Sequence, residues 1–198
     1  MIVREQIAVP TRSRCHGSSL TSSGAVWHDL EMAFFGYYAV ARTGRPIDEL
    51  TAIRQVLDTG VDGISAGTLE GRWSDGDWQL AVIYQGWELD ANDLVAATGA
   101  PALVVYVIES AVGVIEAATV DGGSWRACLN PDDAIRAYDF EPDDAGTVAG
   151  TTELATGWAA AAGRTPDPEA IAAAVKQYVG PFGDGVSAFL AGLGFHFE

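Results

Sequence analysis

The stretch from residue 102 to residue 130 constrains this chain more than any other. Ala102–Glu109 (ALVVYVIE) and Val112–Val120 are two apolar runs of strand length, and Asp121-Gly122-Gly123 leads into Ser124–Asn130. β-branched residues in short runs separated by turn residues read as three consecutive strands of an antiparallel meander. Both faces of the first two runs are apolar, so the meander cannot lie open to water. Either helices cover both faces or one face meets a partner.

The rest of the chain supplies companions for that sheet. Phe34–Arg42 (FFGYYAVAR) is aromatic and β-branched on both faces and reads as a buried strand. A helix follows, with Pro46 in its first turn, Asp48 and Glu49 at the positive end of its dipole, Ile47, Leu50, Ile53 and Leu57 on one face, and Gly60 stopping it. Thr68–Trp73 and Trp78–Gln85 flank a four-residue turn, Ser74 to Asp77, which would set Trp73 opposite Trp78. Asp90 has the position of an N-cap for a short helix closed by Gly99 and Pro101. Beyond about residue 150 the pattern is helical. Trp158 sits on an Ala-rich segment ended by Gly163, and a Pro168-led segment places Ile171, Val175 and Tyr178 on one face before Gly180. A last helix carries Val186, Phe189, Leu190 and Leu193 at helical spacing.

Strands first and helices last predict an α+β fold. The expectation is one mostly antiparallel sheet of five to six strands including the meander, with three to four helices packed on it and concentrated toward the C-terminus. The simplest assembly puts the helices on one face. At 198 residues and 48% hydrophobic content the chain suits one domain, expected over residues 32–198. Residues 1–31, with Arg4, Arg12 and Arg14 among serines and glycines and no apolar period, read as a flexible or loosely docked arm.

Charge narrows function by exclusion. Eleven Lys and Arg against 27 Asp and Glu give a net charge of −16, which repels a phosphate backbone and disfavours nucleic-acid binding. No apolar run has the length of a membrane span, and the chain reads as a soluble, cytoplasmic protein. Residues 131–150 concentrate the charge: Asp132, Asp133, Asp139, Glu141, Asp143 and Asp144 face Arg136 alone, and Pro142 and Gly146 read as breakers of regular structure. The stretch is expected as an acidic loop, or a short edge strand followed by a loop.

The motifs that would carry chemistry are out of context. Gly63-Ile64-Ser65-Ala66-Gly67 matches a nucleophile elbow, yet a helix precedes it and a strand follows, the reverse of what the elbow needs, so it reads as a connecting loop. Gly183-Asp184-Gly185 lacks the strand that a dinucleotide fingerprint requires and reads as a helix start capped by Asp184. Cys15, His16, His28, Cys128 and His196 show no metal-ligand spacing, and no cofactor is implied. Glu109 and Glu116 read as solvated charges flanking the Ser110–Ala111 turn, and His196 as a packing residue.

Two functional classes remain. The leading expectation is a non-enzymatic module that binds a basic protein partner through the six carboxylates of residues 132–144, the role of an inhibitor or immunity-type protein. The alternative is a small-molecule binder or small enzyme with a pocket between sheet and helices lined by Trp87, Tyr106, Trp125 and Trp158. Homo-oligomerisation through an uncovered sheet face is a third reading.

Overall fold

A computed structural model describes residues 33–60, 65–86 and 88–198. The expected arm, with Cys15, His16 and His28, lies outside the described residues, as do Gly63, Ile64 and Trp87. In chain order, β1 (Gly36–Arg42) leads through a single 3-10 turn, Ile47–Glu49, into α1 (Thr51–Asp58), then β2 (Thr68–Asp75), β3 (Trp78–Tyr84) and α2 (Ala91–Thr98). The meander is β4 (Ala102–Ile108), β5 (Val112–Ala118) and β6 (Ser124–Leu129). Five helices follow: α3 (Pro131–Tyr138), α4 (Pro142–Ala145), α5 (Val148–Ala161), α6 (Pro168–Val175) and α7 (Asp184–Gly192).

All six strands join one antiparallel sheet in the order β2-β3-β1-β4-β5-β6. The fold is α+β, with seven α-helices among the described residues rather than three to four. The excess comes largely from α3 and α4, in the stretch read as a loop.

Helices cover both faces of the sheet, which corrects the one-face assembly. On the first face Tyr38, Val40, Leu80, Leu103, Val105 and Ile115 pack against Trp158 of α5, Ile171 and Val175 of α6, Phe189 of α7 and Leu193 at its C-cap. On the second face Tyr37, Ala39, Ile83 and Val104 meet Ile47, Leu50 and Ile53 before and within α1, and Leu94 of α2. The period-2 alternation of β1 thus feeds two cores, and for that reason its aromatic and aliphatic residues appear at every position.

Local signals explain most boundaries. The Asp90 side chain accepts the Asn92 amide at 2.7 Å, and Gly99 ends α2 in the left-handed region that a Cβ disfavours. Leu50 takes an extended ψ of 137° and splits the expected helix after Pro46 into the 3-10 turn and α1, although Ile47, Leu50 and Ile53 all stay in the core. The β2–β3 turn is tighter than expected. Gly76 at φ +61° and Asp77 form a two-residue loop, Asp75 pairs with Trp78, and Trp73 pairs with Leu80 instead of Trp78.

Residues 194–198 are tied to this hairpin. Ser74 and Glu198 exchange both backbone hydrogen bonds at 3.1 Å, and the His196 amide donates to the Asp75 carboxylate at 2.9 Å. Arg164 closes the junction by donating to Asp75 and to the Gly194 carbonyl, with its guanidinium 4.6 Å from the centre of the Phe195 ring. No helix among the described residues is long and apolar enough to cross a membrane.

Candidate functional site

The acidic stretch is helical, and this corrects the loop reading. Pro131 and Pro142 each stand at the first turn of a helix, where the missing N–H costs nothing and the fixed φ is already helical. Asp132 and Asp133 open α3, Asp143 and Asp144 open α4, and carboxylates there complement the positive end of the helix dipole. Asp139 at φ +55° and Gly146 at φ +73° end the two helices. The residues read as breakers are therefore boundary residues.

Packing decides which way the carboxylates point. Ala134 and Ala145 are fully buried against Val112, Val114 and Cys128 of the meander. With that side turned inward, Asp132, Asp139, Glu141, Asp143 and Asp144 stand exposed, and none of the five side chains has a hydrogen bond or ion pair among the described residues. Asp133 differs. It accepts from Asn130 Nδ2 at 2.8 Å and pairs with Arg136. Five of the six expected residues form an outward acidic face, and the sixth holds α3 in place.

Asn130, in the left-handed region at φ +57°, fixes this face to the body. Its amide N–H donates to the Val175 carbonyl at 2.7 Å, and its Nδ2 reaches the Ala111 carbonyl at 3.1 Å as well as Asp133. One residue thus joins α3, the end of α6 and the β4–β5 turn. That turn runs through Glu109 and Ser110, both at positive φ, and the buried Ser110 hydroxyl accepts the Phe34 amide at 2.7 Å.

Glu109 and Glu116 do not form a pair. Glu109 sits in the turn and accepts the Tyr138 hydroxyl at 3.0 Å. Burial and that carboxylate push the Tyr138 phenol up to about 12, so it remains a donor at neutral pH. Glu116 lies four residues beyond the start of β5, about 13 Å of strand away. It is not a hairpin charge but a mid-strand one, facing Arg126 at 3.7 Å on the second sheet face. Burial raises its carboxyl, Arg126 opposes the rise, and Asp90 and Glu88 add to it. Beside it Tyr37 and Tyr106 pack with ring centres 4.8 Å apart, and burial raises both phenols.

The expected aromatic pocket is not assembled by the described residues. Tyr106 lies on the second face while Trp125 and Trp158 lie on the first, and the sheet stands between them. Trp158 is core, and its indole N–H donates to the Ala118 carbonyl at 3.1 Å. A shallow open groove of about 700 Å³ runs between α5 and α6, but Val148, Thr152, Pro168, Ala172 and Lys176 line it and no aromatic side chain does. Cys128 is buried, and burial pushes its thiol up to about 12, the setting of an unreactive core thiol. Ser65 is exposed in an irregular segment ahead of β2, and Asp184 is the first residue of α7 with Gly183 before it as the cap.

Sequence reasoning missed one feature of this end of the molecule. The periodicity placed Tyr178 on the buried face of α6, but α6 ends at Val175 and Tyr178 is 56% exposed. Phe182, four residues on, is 83% exposed. The Gly180-Pro181 breaker beside two aromatics was the available signal.

Fold and surface together define an antiparallel α+β protein with one acidic helical face. No protein family, curated protein or solved structure matches the chain.

Proposed function

We propose that this protein is a non-enzymatic binding module whose α3–α4 face engages a basic surface on a protein partner, the role of an inhibitor or immunity-type protein. The supporting observation is the outward placement of Asp132, Asp139, Glu141, Asp143 and Asp144 without a neutralising cation in contact among the described residues. The helix dipoles favour Asp132, Asp143 and Asp144 one at a time, but like charges crowded on two short helices repel one another. A partner that brings cations relieves that repulsion, and the same field accelerates its approach and disfavours acidic competitors.

The test is affinity capture from lysate of the source organism at low and high salt, followed by titration of the captured protein against the wild-type chain and Asp143→Lys/Asp144→Lys. The reading expects a basic protein retained at low salt, binding of the variant weakened by about ten-fold or more, and a flatter dependence of affinity on salt. A captured partner whose affinity and salt slope are the same for both proteins refutes it, and so does the absence of any retained basic protein.

A further inference from the structure

We infer that the partner-binding surface continues from the acidic helices onto an aromatic patch formed by Tyr138, Tyr178 and Phe182, and that this patch selects arginine over lysine in the segment it receives. The inference rests on the protein-binding reading above and names the chemistry of the partner. Two backbone contacts and one side-chain hydrogen bond place the patch beside the acidic face. The Asn130 amide donates to the Val175 carbonyl, the Gly180 amide donates to the Ser110 carbonyl at 2.9 Å, and Ser110 belongs to the same turn as Glu109, which holds Tyr138. The segment between α6 and α7 therefore runs alongside the β4–β5 turn and the start of α3.

The core does not require these rings outside. Val179, between them, is fully buried, and Gly183 at φ +72° makes the close approach to Tyr38, where a Cβ would collide with the Tyr38 hydroxyl. The chain is anchored by Val179 and Gly183 and presents Tyr178 and Phe182 to solvent. Among the described residues neither ring stacks on another aromatic side chain. Exposed aromatic anchors next to a charged rim are the composition of an interaction hot spot.

The charge around the rings fixes the partner's chemistry. Glu109, whose turn receives the Gly180 amide, and Asp184, two residues beyond Phe182, border the segment as acids, while the cations near it among the described residues are Lys176 and Arg136, and Arg136 is held by Asp133. A cation is called for, and a flat one fits best. A guanidinium lies over an aromatic ring and still forks two N–H groups onto a neighbouring carboxylate, whereas an ammonium is a hydrated point charge that does one or the other.

The experiment titrates fluorescently labelled hexa-arginine and hexa-lysine peptides against the full chain, Tyr178→Ala/Phe182→Ala and Asp143→Lys/Asp144→Lys, with circular dichroism to show that each variant is folded. The wild type is expected to prefer hexa-arginine by about three- to ten-fold. The aromatic variant is expected to lose that preference while keeping its hexa-lysine affinity, and the charge-reversed variant to bind both peptides more weakly. Equal wild-type affinity for the two peptides, or a preference that survives in the aromatic variant, overturns the aromatic patch and leaves the acidic face standing. Binding that ignores the charge reversal, or no binding of either peptide, overturns the acidic reading and this inference with it.

Discussion

Arg164 allows a quantitative check on what holds residues 194–198 to the sheet. Its side chain and that of Asp75 are only 17% and 23% exposed. The guanidinium donates to the Asp75 carboxylate and, from Nε at 3.0 Å, to the Gly194 carbonyl, while its plane covers the Phe195 ring. A charge-assisted hydrogen bond contributes about 1.5–3 kcal/mol and a cation–π contact about 0.5–1 kcal/mol, and the residual solvent access argues for the lower end of each. Arg164→Ala is expected to cost about 2–3 kcal/mol, or about 4–12 °C in Tm for a chain of this size. Asp75→Ala also strips the acceptor from the His196 amide and should cost a similar amount. The double variant should lose about 1–2 kcal/mol less than the sum of the singles, because both act on one junction. Urea unfolding followed by tryptophan fluorescence suits the measurement, since Trp78 and Trp158 pack on Phe195 with ring centres at 5.1 and 6.3 Å. A loss below about 0.5 kcal/mol for Arg164→Ala, or strict additivity of the two singles, would refute the junction as a coupled unit.

Two further outcomes follow from one buried and one half-buried polar group. Trp158→Phe keeps the ring in the first core but leaves the Ala118 carbonyl without its indole donor, so a loss of about 1–3 kcal/mol in thermal unfolding is expected, and an unchanged midpoint contradicts that bond. Burial raises the Glu116 carboxyl in the folded state, so the stability this group contributes is fully present below its unfolded value and is lost as pH rises through the folded value. Glu116→Gln removes the titration, and its stability relative to the wild type should therefore be greater at about pH 7 than at about pH 4. Parallel urea midpoints across that range count against the burial argument.

What was legible in advance was whatever a local signal encodes. The meander follows from β-branched runs and an Asp-Gly-Gly turn, α2 from its Asp90 cap and Gly99 stop, and α7 from Val186, Phe189, Leu190 and Leu193, all of which are buried. What failed depended on partners distant in the chain. The insertion of β1 between β3 and β4, and the covering of both sheet faces, are properties of the assembled sheet. The α3–α4 helices were hidden because Pro142 and Gly146 look the same whether they end a helix or frame one. The acidic residues were visible by charge alone. Their outward, unpaired placement depends on Ala134 and Ala145 finding the meander, and the exposure of Tyr178 depends on α6 stopping one turn early. Neither leaves a periodic trace.

The central position of β1 also orders events in time. Its neighbours are β3, whose partner for Gly36 is Tyr84, and β4, whose partner for the same residue is Val107. At roughly 5–20 residues per second, a nascent chain makes β1 several seconds before either edge can be paired. For that interval a strand apolar on both faces has no cover, and contacts this distant in sequence form slowly. The hairpin of β2 and β3 can assemble on local contacts alone, so it is placed to shield the first edge of β1 while the meander is still being made, and a slowed β2–β3 turn would lengthen the time that this apolar strand edge stays open.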